Sequence, residues 1–172
     1  AERIVEFVAE ITVNDDGSAD FVERIGYSFG DKMRHGILRD LITAQRYDDE
    51  RDRHYPLTVL SVTSPDSPSD YVVLDQSGGR QRIRVGDPEQ TITGRHNYVL
   101  TYRLDGVVNA QPGADEFFWN VTGHDWSVPI DRVSVTVRVP DGAEKVDCFA
   151  GPQNSTNACA TANVEADGSA RF

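Results

Sequence analysis

Lysine is nearly absent from this 172-residue sequence, since only Lys32 and Lys145 occur among its 17 basic residues. Two lysines cannot form the polybasic cluster that draws a protein to anionic lipids. Asp and Glu together number 28, which gives a formal net charge of −11. Because nucleic-acid binding needs a basic face to neutralise phosphates, this balance argues against nucleic acid as the main partner.

Long apolar runs are also missing. No stretch approaches the roughly 18 apolar residues that a membrane-spanning helix needs, and no charged-then-apolar signal segment begins at Ala1. Hydrophobic residues nevertheless make up 38% of the chain, which is more than a disordered protein carries. We therefore expect one domain with a substantial core over residues 1–172.

Only two cysteines occur, Cys148 and Cys159, in a stretch rich in small and polar residues. Their spacing suits a loop-closing disulfide, for which loop-closure entropy predicts a stabilisation of about 3 kcal/mol. Two free buried thiols are the alternative. Because structural disulfides persist in oxidising compartments, a disulfide predicts an extracytoplasmic location.

Alternation of apolar and polar residues predicts strands through most of the chain. Residues 5–13 and 21–29 flank an Asn-Asp-Asp-Gly turn and predict a long hairpin. Further strands are predicted over 56–63, 71–74, 81–85, 98–104, 116–121, 133–139 and 145–149. About nine short strands predict an all-β fold with little helix. We expect an antiparallel β-sandwich of two packed sheets, immunoglobulin-like or jelly-roll-like.

Other segments lack this alternation. Residues 35–42 predict a short helix or an irregular crossing segment. Residues 46–54 are almost wholly charged and predict a solvated loop, and the Ser/Pro-rich residues 64–69 predict another. Residues 170–172 resemble the opening of a strand. We therefore expect the chain to be cut before a final strand and a membrane anchor.

Several motifs together resemble a known family. They are DGS at 16–18 with ERIGYSF at 23–29, HGILRD at 35–40, DEFFWNVTGHDWSVPI at 115–130, and Cys148 with Gly151. Their order and spacing are similar to the YciQ-like predicted bacterial membrane proteins, the domain-of-unknown-function family 2207. The resemblance implies an extracytoplasmic β domain, with its signal peptide removed, that transmembrane helices anchor to the cell membrane. It implies no established activity and no functional residue.

Glu23 is in phase with the apolar face of its predicted strand, so its side chain is expected to point inward. A buried carboxylate is costly unless it is paired and hydrogen-bonded. Arg39 is the expected partner, because its guanidinium can hold a carboxylate through two parallel bonds. We favour a structural ion pair over the alternative, a general acid with a raised pKa.

Arg80, Arg82 and Arg84 alternate, so their side chains share one face of a strand. This arginine stripe is a candidate binding surface for an anionic polymer of the cell wall. We favour the other interpretation, a charged edge strand that prevents pairing with other sheets.

No metal or cofactor is predicted, because His35, His54, His96 and His124 share no ligand spacing. The acidic turns at 14–16 and 48–52 concentrate oxygen ligands and leave calcium as the alternative, although neither follows the helix–loop–helix calcium pattern. His124 and Asp125 are adjacent, but neighbours on an extended chain point to opposite sides and form no catalytic dyad.

Two functions fit these observations. We favour a non-catalytic binding or interaction module at the bacterial cell envelope, held to the membrane by a segment absent from this chain. Its partner would be an envelope protein or a cell-wall polymer. The alternative is an envelope glycan-active enzyme that uses carboxylates such as Glu23, Asp115 or Glu116 as acid and base. That enzyme needs two carboxylates facing one cleft.

Overall fold

The computed structural model describes residues 1–172 and consists of strands and connecting turns. None of its segments is a helix long and apolar enough to cross a membrane. The strands are β1 (Arg3–Val13), β2 (Ala19–Arg34), β3 (Gly36–Ile42), β4 (Ala44–Arg46), β5 (Asp52–His54), β6 (Leu57–Thr63), β7 (Tyr71–Gln76), β8 (Arg80–Gly86), β9 (Ile92–Leu104), β10 (Val108–Gln111), β11 (Ala114–Phe117), β12 (Val133–Arg138), β13 (Phe149–Ala150), β14 (Asn157–Ala158), β15 (Asn163–Val164) and β16 (Ala170–Arg171).

Seven of these strands form a large sheet in the order β15-β16-β12-β1-β2-β9-β6, and β3-β8-β7 form a small sheet. The prediction of an all-β fold built from packed antiparallel sheets is confirmed. One pairing departs from it, because β12 runs parallel to β1 from Phe7↔Val133 to Thr12↔Arg138. Alternation within each strand contains no information on the direction of its neighbour, so the sequence did not predict this pair.

One core lies between the two sheets. It comprises 24 buried apolar residues, among them Phe7 of β1, Phe21 of β2, Ile83 of β8 and Tyr98 of β9. In β2 the apolar phase from Phe21 to Phe29 is buried throughout, as period-two geometry requires of a strand with one face on a core.

The prediction of a helix or an irregular segment over 35–42 was wrong. These residues form β3, which pairs with β8 from Gly36↔Gly86 to Ile42↔Arg80. Alternation is present, with Ile37, Arg39 and Leu41 buried. It was hidden because an arginine occupies an inward position and Leu38 an outward one, which reverses the usual polarity.

Three further segments differ from expectation. Residues 46–54 are not only a loop, because β4 and β5 pair within 44–54 around the turn at Asp48. The strand predicted over 116–121 ends at Phe117, and the following aromatic residues lie in irregular chain. The strand predicted over 145–149 is also wrong, since only Phe149–Ala150 is extended and paired there.

Two turns at the same end of the large sheet repeat one motif. Residues 13–21 read VNDDGSADF, and residues 164–172 read VEADGSARF. Ser18 donates backbone and hydroxyl bonds to Asp16 Oδ1 at 3.0 and 2.6 Å, and Ser169 does the same to Asp167 at 2.9 and 2.6 Å. Both turns use a glycine at φ 82°, a conformation that glycine adopts without strain. The second turn brings Ala170–Arg171 into the sheet beside β12.

Candidate functional site

The small sheet presents its outer face to solvent and has two edge strands, β3 and β7. Its central strand, β8, aligns Arg84 between Leu38 and Val72, and Arg82 between Asp40 and Leu74. Leu38, Val72 and Leu74 are exposed. We call Leu38, Val72, Leu74 and Arg84 the outer patch.

The prediction that the arginine stripe lies on an edge strand was wrong, because β8 pairs with β3 on one side and β7 on the other. The stripe lies on the outer face but offers little free charge. Arg82 forms two parallel bonds with Asp40 at 2.7 and 2.8 Å. Arg80 Nε lies 3.0 Å from Asp125 Oδ2, in an ion pair without hydrogen-bond alignment. Arg84 has neither an ion pair nor a side-chain hydrogen bond, so it is the one arginine of the stripe whose charge remains open. The sequence could not show this neutralisation, because Asp125 is distant along the chain.

Strand β7 is one edge of the small sheet and pairs only with β8. Its first four residues, Tyr71, Val72, Val73 and Leu74, are all apolar or aromatic and 37–42% exposed. Pairing with β8 runs without a register shift from Tyr71↔Val85 to Gln76↔Arg80. A continuous apolar run of this kind usually marks a strand buried on both faces. Here the run is instead partly exposed on both faces of the strand. We call residues 71–75 the β7 edge.

The inner face of the small sheet contains a buried polar cluster. The Arg39 guanidinium donates to Glu23 through Nε at 2.9 Å and Nη2 at 2.6 Å. The Tyr102 hydroxyl donates to the same carboxylate at 2.6 Å. Glu23 is 0% exposed. Burial, then the charge of Glu23, raises the pKa of Tyr102 well above its ordinary value, so this phenol stays protonated and donates.

Arg39 also holds the chain that follows β11. It donates to the carbonyls of Val121 and Thr122 at 2.8 and 2.9 Å, and to its neighbour Asp40 at 3.3 Å. With the two bonds to Glu23, these contacts use all five N–H groups of the guanidinium. Burial is the largest single influence and lowers the pKa of Arg39, but the contributions of Glu23, chiefly its charge, and of Tyr102 together outweigh it, so the pKa is raised. Arg39 of the small sheet therefore connects Glu23 of the large sheet to the loop at 121–122.

The residues considered for catalysis lie apart. Asp125 pairs with Arg80, whereas His124 Nε2 lies 2.7 Å from the side-chain amide of Asn120. Asp115 and Glu116 are exposed on β11. Two open cavities flank Gly79, and each is lined by a single carboxylate, Asp52 in one and Asp75 in the other. Glu23 lines neither cavity.

The acidic turns use their oxygens internally. Asp48 accepts backbone bonds from Glu50 and Arg51, and Arg51 also donates to it through its side chain. Asp16 is engaged by Ser18. No group of three or more His, Cys, Asp or Glu side chains is arranged to hold a metal ion. Cys148 and Cys159 form a disulfide with their Cα atoms 5.5 Å apart.

Solved structures with a similar fold include the M1 zinc metallopeptidase from Deinococcus radiodurans, at 13% identity and a TM-score of 0.51. Leukotriene A4 hydrolase from Saccharomyces cerevisiae is similar at 9% identity and a TM-score of 0.54. Each match covers 99% of this chain, which spans only 38% and 26% of those proteins. At these identities the likeness shows the fold alone.

Comparison with curated proteins found no significant match. Comparison with protein families matched residues 3–172, nearly the whole chain, to one family. The chain therefore belongs to the family described as predicted membrane protein (DUF2207) N-terminal domain.

Proposed function

We propose that this domain is a non-catalytic protein-binding module on the extracytoplasmic side of a bacterial membrane protein, and that the β7 edge is its binding surface. The family supports attachment to a membrane. The Cys148–Cys159 disulfide supports a location on the extracytoplasmic side of that membrane, because disulfides persist in oxidising compartments.

The observation that carries this proposal is that β7 lacks the protection given to the other edges of the two sheets. Strand β6 has a register shift between Val59 and Ser61, and β15 is two residues long. Strand β3 carries Asp40, whose carboxylate and carbonyl are both engaged. Bulges, short strands and charges are the usual means of preventing strand addition. From Tyr71 to Leu74 the β7 edge has none of these, and its one charge, Asp75, lies at the end of the segment, where Gln81 and Gln76 engage its carboxylate and its carbonyl. An exposed regular edge of this kind suits β-strand addition by a partner.

The chemistry of the outer patch favours a protein over a cell-wall polymer. An anionic polymer would require several open positive charges along one line. Arg80 and Arg82 are paired with aspartates, which leaves Arg84. The apolar residues beside Arg84 suit a partner that adds apolar side chains and backbone hydrogen bonds.

The enzyme alternative has less support. A glycan-active site would need two carboxylates facing one cleft. Each of the two cavities beside Gly79 has one, and the Glu23 carboxylate is enclosed by Arg39 and Tyr102.

A capture experiment tests the proposal. The disulfide-intact domain is used as bait with solubilised envelope, beside a retention assay on purified cell wall. Val73→Pro removes an N–H that points away from β8 and blocks strand addition, whereas Val73→Ala keeps that N–H and is the matched control.

We expect a specific envelope protein to be captured by the unmodified domain and by Val73→Ala but not by Val73→Pro, with the same far-ultraviolet circular dichroism for all three. Retention on cell wall by all three, without protein capture, would contradict the proposal. So would capture that is equal for Val73→Pro.

A further inference from the structure

We propose that the β7 edge binds the β7 edge of a second copy of this chain, through antiparallel pairing centred on Val73. The two small sheets would then form one continuous six-stranded sheet across a twofold axis. This inference rests on the proposed function of the β7 edge as a protein-binding surface, and it names the partner.

The backbone hydrogen bonds establish which groups of β7 are open. Gly86 donates to the carbonyl of Asp70 at 2.8 Å, so that pair is hydrogen-bonded across β7 and β8. In an antiparallel pair, hydrogen-bonded and non-hydrogen-bonded positions alternate. The N–H and C=O groups of Tyr71, Val73 and Asp75 therefore point away from β8, toward the free edge. They form a row of three donors and three acceptors, of which the carbonyl of Asp75 already accepts a bond from the Gln76 side-chain amide at 2.8 Å.

This row is complementary to itself. A twofold axis at Val73 pairs every residue from Tyr71 to Asp75 with a residue of the second copy. Tyr71 then lies opposite Asp75, and Val72 lies opposite Leu74. No charge lies directly opposite a like charge. Val72 lies opposite Leu74 and Val73 opposite its own copy, and apolar cross-strand pairs of this kind stabilise a sheet.

The same register joins the two outer patches. Val72 and Leu74 of both copies lie side by side, with Leu38 of each copy two strands away on the same face. Sheet pairing thus extends an apolar surface that each copy otherwise exposes. A register moved by two residues would leave part of the row from Tyr71 to Asp75 without a partner.

The expected dimer is weak, because a five-residue strand is only about 17 Å long and one strand pair buries less than the roughly 1,200 Å² of a standard interface. Attachment to a membrane raises the local concentration of the two copies and favours such a contact. Net charge acts against it, since each copy carries −11. Added salt screens this repulsion, so association is expected to strengthen as ionic strength rises.

Sedimentation equilibrium of the 172-residue chain with its disulfide intact gives the first measurement. We expect a monomer at low micromolar concentration and a growing dimer fraction toward millimolar concentration, larger at 0.5 M than at 0.05 M NaCl. Val73→Pro is expected to remain monomeric throughout, and Val73→Ala to dimerise. A higher association constant at low salt, or equal association of Val73→Pro, would overturn the proposal.

Cross-linking tests the register. In a hydrogen-bonded antiparallel pair the Cα atoms are about 5.5 Å apart, a distance that a disulfide spans. Val73→Cys is therefore expected to give a covalent dimer under mild oxidation. In Val72→Cys the equivalent Cα atoms would be about 8 Å apart, since they are offset by two residues. This matched variant, of similar exposure, should give little dimer. Efficient cross-linking of Val72→Cys with none for Val73→Cys would contradict the register.

The two proposals fail in different ways. If the chain stays monomeric and Val73→Cys does not cross-link, but Val73→Pro still abolishes capture of an envelope protein, the second copy is wrong and the proposed function stands. If Val73→Pro alters neither association nor capture, the β7 edge is not the binding surface and both are wrong.

Discussion

Leu38 and Arg39 are consecutive on β3, yet the leucine is 46% exposed and the arginine only 2%. The contrast between the two faces of the small sheet holds for β3 and β8, whereas on β7 the inward Tyr71 and Val73 are exposed as well. The inner face of the sheet buries Arg39 beside Ile83 and faces the large sheet, whereas its outer face leaves Leu38 and Val72 open to solvent. One face holds the molecule together, and the other is available to a partner.

Available partners, rather than polarity, explain this reversal. Arg39 is buried without an unpaired donor because Glu23, two loop carbonyls and the Asp40 carbonyl accept all five of its N–H groups. Its guanidinium also lies 5.4 Å from the centre of the Phe7 ring, within the range of a cation–π contact. Leu38 has no second layer above it in this chain. The contrast predicts that substitutions on the inner face lower the free energy of unfolding, whereas substitutions on the outer face leave it almost unchanged.

Breaking the buried pair should have the largest effect. Arg39→Met leaves the Glu23 carboxylate buried without its counter-ion. Glu23→Gln likewise leaves the Arg39 guanidinium buried without a counter-ion. Either change is expected to lower the free energy of unfolding by about 3–5 kcal/mol, and the melting temperature with it. Urea unfolding and calorimetry measure both.

Arg84→Met is the matched control, because it removes an open arginine from the other face of the same sheet. We expect it to change the free energy of unfolding by less than about 0.5 kcal/mol. Equal losses for Arg39→Met and Arg84→Met would contradict the division between the faces. An unaltered melting temperature in Glu23→Gln would contradict a structural role for that carboxylate.

Tyr102→Phe should have an intermediate effect. It removes one hydrogen bond to Glu23 and leaves the Arg39 pair in place. A bond to a charged acceptor contributes about 1.5–3 kcal/mol, so we expect a loss in that range by urea unfolding. Tyr47→Phe, on an exposed loop, is the control and should be neutral. A loss as large as that of Arg39→Met would mean that the Glu23 carboxylate depends on this hydroxyl as much as on its counter-ion.

Acid should lower the stability by a smaller amount. We expect it to act mainly through aspartates in two surface turns, not through the small sheet. Hydrogen bonds from Ser18 and Ser169 hold the pKa of Asp16 and that of Asp167 below the ordinary value of 3.8. Between the folded and unfolded pKa values the unfolded chain binds more protons, so stability is present above about pH 4 and falls below it. The pKa is lowered in the same way for Asp20, chiefly by Arg103, and for Glu2, chiefly by Arg34.

Thermal melts from pH 7 to pH 3 measure this dependence. The melting temperature is expected to be nearly level down to pH 5 and to decrease below pH 4. Asp16→Asn with Asp167→Asn keeps an oxygen acceptor in both turns and should make the acid decrease shallower. An unchanged profile in that double variant would show that the turn carboxylates do not contribute.

The smallest effect on stability is expected on the outer patch. Leu38→Gln replaces an exposed apolar side chain with a polar one of similar length and should change the free energy of unfolding by less than about 0.5 kcal/mol. Leu41→Gln, the inward control on the same strand, should cost several times more, because Leu41 is buried. Similar losses for both would mean that Leu38 packs against something in solution.

The large sheet could be predicted well from alternation alone. β1, β2, β9 and β12 each show period two, and the phase of β2 was sufficient to predict an inward Glu23. β3 was not recognised, because its alternation carries an arginine inside and a leucine outside. The repeat of the Asp-Gly-Ser turn is readable in the sequence, but its two copies are too far apart to form a periodic array.

The candidate site depended on pairings that no local pattern contains. The sequence by itself determined the fold class, the inward phase of Glu23 and the alternation of the arginine stripe, because each follows from the backbone period of one strand. Only the tertiary structure decided that Asp40 and Asp125 neutralise two of those arginines, that β12 runs parallel to β1, and that the apolar run of β7 lies at an edge instead of inside. Those outcomes depend on which distant segments meet, and that is decided by packing around the shared core.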